Sequence, residues 1–165
     1  MIDFISLRDD LRLKLQNYLR EEYEDLLVIN MNPDAPQPPT PYITMDWTSP
    51  YIPRGEGIYT LEDKNDDLEE ARYSNDEMSA SFNIYSDDRD EAHKVALWAA
   101  RYFLFDGLSE LKEDGLIVID VSGIQNRDTY VVDEWERRLG FDVTFRILSK
   151  VKRTTGTIET VGLER

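Results

Sequence analysis

Cysteine is absent from this chain of 165 residues, and histidine occurs only once. Without cysteine the chain forms neither a disulfide framework nor a thiolate metal site, and a reducing compartment such as a cytoplasm suits it. No apolar run approaches the roughly 20 residues that span a bilayer, and the first residues lack the basic and apolar regions of a signal peptide. We therefore expect a soluble, unprocessed protein with the size of a single domain, residues 1–165.

Positive charge is also scarce, because 19 basic side chains stand against 34 acidic ones and leave a net charge of −15. This balance argues against a surface that binds nucleic-acid phosphates by counterion release. The acidity has two interpretations: it keeps the protein soluble and its copies apart, or it repels or mimics nucleic acid. Both interpretations predict poor affinity for anionic membranes.

Two segments have the apolar spacing of helices. The first runs from Ser6 to about residue 25, and Ser6 and Asp9 have the spacing of a capping box. The second is capped by Asp87 and Asp88 and continues to about Phe105. We expect these two helices to be the main helical elements of the domain.

Alternation of apolar and polar side chains predicts several strands, most clearly at 141–150. The nearly continuous apolar run 116–122 indicates a central strand, whereas residues 26–29 fit either a strand or the end of the first helix. The strand predictions are residues 26–29, 42–48, 77–85, 116–122, 126–133, 141–150 and 157–161. Together these elements predict an α+β fold, an antiparallel sheet with two main α-helices packed on one face.

Residues 49–76 differ from their surroundings, because prolines and glycines give way to a run of charged residues. This composition predicts a long loop or an extended hairpin arm that projects from the domain and becomes fixed on assembly. The apolar residues 58–61 within it are available to a partner. The proline-rich passage 33–41 before it predicts a rigid, extended connection, with recognition by a proline-binding domain as the alternative.

Candidate catalytic chemistry is sparse. His93 lies in the middle of the second predicted helix and is interpreted as an exposed helix histidine rather than a catalytic base. The glycines at 55 and 57 are too few for a phosphate cradle. The aromatic residues outside the helices fit a protein interface better than a base-stacking surface, since they lie among acids. They are Tyr51, Tyr59, Tyr73, Tyr130 and Trp135.

A metal site is also not indicated. Asp63 and Asp67 have a spacing similar to that of a calcium loop, but Leu68 stands where the tight-turn glycine belongs and Ser74 where the bidentate acid belongs. We therefore predict no catalytic, cofactor-binding or metal-binding residues and no enzymatic activity.

Taken in order, several passages resemble the neck or tail terminators, also called tail completion proteins, of tailed phages. The resemblance spans most of the chain and rests on patterns of strand and charge; the acidic passage 59–75 has the weakest counterpart. The passages are the N-terminal helix, the proline-rich run 36–43, the strand 78–85 before a long helix, the segment 136–146 and the closing residues 158–161.

This resemblance implies a structural virion protein that forms a ring, a homohexamer, at the head-proximal end of the tail. The ring would halt polymerisation of the tail tube and join the tail to the head connector. The implied partners are the protein itself, the tail tube protein, the head connector or stopper protein and, as a further contact, the sheath. DNA would pass through the lumen without specific binding, and the protein would reside in the tail or neck of the virion after assembly in the host cytoplasm.

The resemblance also suggests a subunit interface that includes Arg137, Arg138, Arg146, Ile58 and Tyr59. Ion pairing within the chain is the alternative for the three arginines. A different class of function is a monomeric acidic inhibitor that mimics DNA, although the acids lie in separated blocks rather than in one phosphate-like series. An enzyme of unknown substrate comes third, because the chain has a single histidine and no cysteine.

Overall fold

Two long antiparallel strands, β4 (Asp67–Tyr85) and β9 (Arg138–Thr155), form the centre of the architecture. The computed structural model describes residues 3–32, 36–64, 67–131 and 134–155. The helical elements are α1 (Phe4–Leu19), α2 (Arg89–Arg101), a π-helical turn (Tyr102–Asp106) and α3 (Leu108–Glu113). The other strands are β1 (Leu27–Asn30), β2 (Tyr42–Ile52), β3 (Ile58–Lys64), β5 (Ile117–Val121), β6 (Gln125–Asn126), β7 (Thr129–Val131) and β8 (Glu134–Glu136).

Within the described residues, the main sheet has the strand order β1-β2-β4-β9-β5, while β3 adds to β4 and β6 adds to β9. Strands β7 and β8 form a separate antiparallel pair. The α+β prediction is confirmed, but the sheet is mixed rather than purely antiparallel, because β1 and β2 run parallel. Strand β2 begins beside the start of β1, with Tyr42 opposite Leu27, as a parallel pair requires.

One face of the sheet carries the hydrophobic core. Helices α1 and α2 contact each other and pack with the sheet around this core, as predicted. Phe103 of the π-helical turn packs on Phe82 of β4, with ring centroids 4.8 Å apart. The alternating apolar residues of the two predicted strands 77–85 and 141–150 are all buried: Met78, Ala80, Phe82, Ile84, Phe141, Val143, Phe145 and Ile147.

Of the two predicted helix caps, the one for α2 is confirmed and the one for α1 is wrong. Asp3, and not the predicted Ser6, caps α1, because the Asp3 carboxylate accepts the backbone N–H groups of Ile5 and Ser6 at 3.1 Å. Helix α1 also ends at Leu19, earlier than predicted. The predicted cap of α2 is confirmed, since Asp88 accepts the backbone N–H groups of residues 90 and 91.

Strand β5 is the clearest failure of the sequence interpretation. The apolar run predicted to be a central strand lies at the edge of the sheet and pairs only with β9 among the described strands. Leu116 and Val118 contribute to the core, but Ile117 and Ile119 are exposed. The continuous apolar run therefore reflects a second apolar surface rather than burial on both faces.

Of two other predicted strands, one is partly described and one is not described. The segment 126–133 is interrupted at Arg127 and Asp128, and its described part supplies the end of β6 and all of β7. The predicted strand 157–161 lies outside the described residues.

Most of the described residues of the segment 49–76 lie in paired strands, on either side of a loop at 53–57. Strand β2 continues to Ile52, and β3 pairs with residues 67–73 of β4; a projection of this segment from the domain stays a prediction. The same part of β4 pairs on its other side with the second half of β9. We call residues 58–64, 67–76 and 147–155 the extension; its strand pairing is already present in the single chain.

The loop before β3 is held against β4 by several contacts. The Arg54 guanidinium donates to the Glu77 carboxylate at 2.8 and 2.9 Å, and Arg72 donates to the backbone carbonyl of Glu56 at 2.9 Å. Gly57 has a φ of +78°, and a Cβ atom there would lie 2.6 Å from the Tyr73 carbonyl oxygen. The close approach of the loop to β4 therefore requires glycine at this position.

The buried carboxylate of Asp76 fixes the same loop at the base of the extension. Its oxygens accept the Ser74 hydroxyl at 2.7 Å and the Arg54 backbone N–H at 3.2 Å. Burial by itself raises the pKa of Asp76, but these hydrogen bonds to the charged form outweigh it and hold the pKa below its usual value. The charged form is thus the one that the folded chain stabilises.

The second face of the sheet is polar and is organised by Arg127. Its guanidinium donates to Ser81 at 2.7 Å, to Asn83 at 3.0 Å and to Asp142 at 2.8 Å, so that it lies across β4 and β9. A Cβ atom on Gly140 would lie 2.7 Å from the Arg127 side chain and from the Asn83 amide oxygen. Gly140 therefore provides the space in which Arg127 crosses the sheet.

The substitution Gly140→Ala should destabilise the fold by about 1–3 kcal/mol, because the added methyl group displaces Arg127 from its hydrogen bonds. Urea unfolding followed by circular dichroism measures the change. The control is Gly123→Ala, where a Cβ atom meets nothing within 4 Å. Equal unfolding midpoints for the two variants would contradict this account of Arg127.

The substitution Asp76→Asn should lower the unfolding free energy at neutral pH by about 1–3 kcal/mol, because two donors lose a charged acceptor. Since the folded-state pKa is depressed, the stabilisation is present above the unfolded-state pKa of about 3.9 and is lost as the pH falls through the folded-state value. Asp76→Asn should therefore flatten the decline in stability below about pH 4. Urea titrations between neutral pH and pH 3 test both effects, with Glu56→Gln in the same loop as control; an unchanged acid slope would refute the role of Asp76.

Candidate assembly surfaces

The five residues predicted to form an interface do not lie together. Arg137 and Arg138 lie at the start of β9, Arg146 lies near its middle, and Ile58 and Tyr59 lie on β3. Arg146 lies eight positions after Arg138 on β9, which is roughly 25 Å at the rise of an extended strand. The sequence prediction therefore combines residues from at least two surfaces.

Arg138 is engaged within the chain, mainly by hydrogen bonds to neutral groups. Its guanidinium donates to the Arg127 carbonyl at 2.6 Å and to the Thr129 hydroxyl at 2.9 Å. Its backbone N–H donates to Asp128, whose carboxylate also accepts Arg89 at 2.7 Å. These contacts hold the segment after β6 against the sheet, so the Arg138 side chain is committed to the fold.

Arg137 is exposed and lies beside a groove of about 650 Å³ at one end of the sheet. Its guanidinium donates to the Asp87 carbonyl at 3.1 Å. The groove is also lined by Trp135, Tyr42 and Tyr85. The rings of the two tyrosines stack with centroids 4.7 Å apart. Burial raises the pKa of Tyr42 to about 12, with smaller contributions from Tyr85 and Glu136, so its hydroxyl remains protonated at neutral pH.

Arg146 is the one of the three predicted arginines that stays available on the described part of the surface. It is exposed and makes no hydrogen bond or ion pair with another described residue. It lies between Glu77 of β4 and Ile117 of β5 in the sheet register. Because the neighbouring Glu77 carboxylate is already paired with Arg54, the Arg146 guanidinium can pair with a carboxylate of another molecule.

The extension displays apolar side chains on both of its faces. Ile58 is 71% exposed, and Tyr59 and Leu61 beside it on β3 are also largely exposed. Leu148 and Val151 of β9 add to this surface. Two ion pairs, Lys152 with Glu69 and Arg153 with Glu70, lie among these apolar groups, and the charges of each pair neutralise each other within the chain.

A second apolar surface surrounds β5, and sequence reasoning did not identify it. The π-helical turn packs against β5 and exposes Leu104 and Phe105, of which Phe105 is 74% exposed. We call the exposed Leu104 and Phe105 of the π-helical turn, together with Ile117 and Ile119 of β5, the β5 surface; the register places Ile117 on the sheet face that carries Arg146, opposite the core face on which the π-helical turn packs. The signal was present in the sequence, because Leu104 and Phe105 continue the apolar character of α2 beyond the stripe that faces the core.

The described residues offer little to catalysis. The ring nitrogen Nδ1 of His93 lies 2.7 Å from the Arg89 carbonyl oxygen one turn earlier in α2. Among the described residues, no group of three histidine or acidic side chains is arranged to hold a metal ion. In the same part of the chain, no helix has the length and apolar character needed to span a membrane. What this geometry provides is exposed apolar and charged surface for contact with other proteins.

Comparison with known proteins agrees with such a role. The model of a family described as phage neck terminator protein matches residues 9–164, nearly the whole chain. A search of curated proteins found no match. The family indicates a structural protein of the phage tail or neck, located in the virion and in contact with other tail or head proteins. By this match over most of its length, the chain belongs to the phage neck terminator family.

Proposed function

We propose that the protein forms a ring, of six copies, at the head-proximal end of the phage tail. There it stops polymerisation of the tail tube and joins the tail to the head connector or stopper protein. The observation that carries the proposal is the family match over residues 9–164. The two exposed apolar surfaces of the fold support it, because a monomer that acted alone would gain nothing from exposing them.

The apolar surfaces favour self-association in particular. Ile58 and Tyr59 lie on a short strand at the outer side of the extension, where a neighbouring subunit can cover them. Tyrosine and arginine side chains contribute strongly to protein contacts, and Arg146 is available to pair with an acid of the adjacent subunit. Arg137 fits a contact at the opposite end of the sheet, whereas Arg138 serves the fold.

The acidity of the chain fits a passage for DNA. Six copies with a net charge of −15 each carry about −90 together. A lumen with excess carboxylate repels phosphates, so that the genome slides through without specific binding. The two open ends of the ring then contact the tail tube protein and the connector, and the outer rim contacts the sheath where the tail has one. Assembly takes place in the host cytoplasm before the virion is complete.

The alternative, a monomeric DNA mimic, requires free carboxylates on one continuous surface. Several acids of the described residues are instead paired with basic side chains of the same chain. These pairs include Arg54–Glu77, Arg89–Asp128, Arg127–Asp142, Lys152–Glu69 and Arg153–Glu70. This arrangement is better suited to a folded assembly subunit than to a phosphate-like array.

The purified chain should form closed rings with six times its own mass, alone or on the ends of tail tubes from the same genome. Light scattering and native mass spectrometry measure the mass, and electron microscopy locates the ring. Added to polymerising tail tube protein, the chain should also limit tube length, because a capped end accepts no further subunits. A chain that stays monomeric, ignores tubes and binds a basic partner in a salt-sensitive manner would refute the proposal and favour the DNA mimic.

A further inference from the structure

The two outer edges of the sheet differ in whether side chains cover their backbone N–H and C=O groups. An edge strand presents unpaired N–H and C=O groups that invite another strand, and proteins usually block them. At the β1 edge, the Gln16 side chain accepts the Val28 N–H at 3.0 Å and Arg12 donates to the Val28 carbonyl at 2.9 Å. Arg20 donates likewise to the Leu26 carbonyl at 3.1 Å. Side chains of α1 and the turn after it therefore seal this edge.

The β5 edge lacks such a seal. Within the described part of the chain, no side chain forms a hydrogen bond with the backbone of residues 117–121. The register of β5 on β9 shifts between Val118 and Asp120, and Ile119 at this irregularity is exposed. With Leu104 and Phe105 exposed on the helical side and Ile117 exposed on the opposite face of the sheet, this edge combines open backbone groups with apolar side chains on both faces, which is the composition of a strand-docking site.

Strand β3 has matching properties. It pairs with β4 on one side, and its other side has no strand partner among the described residues. Ile58, Tyr59 and Leu61 are exposed along it. It is also short, as β5 is, which suits two edges that pair with each other rather than with an indefinite series of strands.

The two edges cannot meet within one chain. Strand β3 pairs with residues 67–73 of β4, whereas β5 pairs with β9 at the level of residues 77–80 of β4. The centres are about nine residues apart, roughly 30 Å along the strands, and they lie on opposite sides of the β4–β9 pair. Each edge therefore needs a second molecule.

We infer that β3 of one copy pairs with β5 of the next copy and that its apolar side chains cover the β5 surface. This inference rests on the proposed ring and specifies how its subunits join. Because two different surfaces meet, the contact is heterologous, the type that generates closed rings. Arg146, which lies opposite Ile117 in the register, is positioned to pair with the exposed Glu62 of the incoming strand.

Mixing two variants tests the inference. Ile58→Glu damages the β3 side and Phe105→Glu damages the β5 side, so each variant alone should lose the ring, with association weakened about tenfold or more. In an equimolar mixture, the intact β5 surface of the first variant binds the intact β3 of the second. Native mass spectrometry should then show one-to-one pairs and no larger species. The control Ile5→Glu, at a site that is 66% exposed on α1, should leave the ring intact.

The outcomes separate this inference from the proposed function. A wild-type chain without rings, alone and on tubes, contradicts the proposed function itself. Rings that persist in either variant, or a mixture that yields no pairs although the wild type forms rings, overturn the β3–β5 contact alone. Circular dichroism verifies folding, and the milder pair Tyr59→Ser and Leu104→Ser replaces the first pair if glutamate unfolds the chain. Amide hydrogen exchange of residues 58–61 and 117–121 should slow when the ring forms, since paired strands protect their N–H groups.

Discussion

The fold depends on the uninterrupted antiparallel pairing of β4 and β9, which extends from Leu68 opposite Thr155 to Tyr85 opposite Arg138. One half of this ladder forms the floor of the core, where alternating apolar side chains meet α1 and α2. The other half carries the extension. Because both halves belong to the same pair of strands, the orientation of the extension is set by the same hydrogen bonds that support the core.

Polar contacts then fix what lies beside the ladder. Arg127 holds the segment that follows β5 against the polar face of the sheet. The missing side chain of Gly140 leaves the space that the Arg127 side chain occupies. Asp76 secures the loop that leads into β3 at the point where the core half of the ladder gives way to the extension. A side chain that is buried and charged can do this because its hydrogen bonds compensate for the loss of water. The surfaces proposed for assembly are therefore held in place before any partner arrives.

The sequence predicted the core half of this architecture well. Local alternation and helical spacing were sufficient for the strands 77–85 and 141–150 and for α2 with its cap Asp88, since these signals act over a few residues. The α+β class followed from the same patterns, whereas the terminator family was anticipated from the resemblance of several passages to known proteins. The interface residues stay a prediction; the fold adds that Arg138, which resembles Arg146 in the sequence, is engaged by a segment that only the fold brings near.

The sequence by itself determined the composition of the surfaces, the strong negative charge and the segments that become helix or strand. It did not determine the position of each strand in the sheet, since an apolar run looks alike whether it is covered on two faces or lies at an exposed edge. Among the residues that the structure describes, tertiary structure decided that residues 117–121 lie at an edge, that α1 seals the opposite edge, and that the outer side of β3 stays open. The reason is that strand order follows from long-range pairing along β4 and β9, and local patterns contain no information about which distant strand supplies the partner.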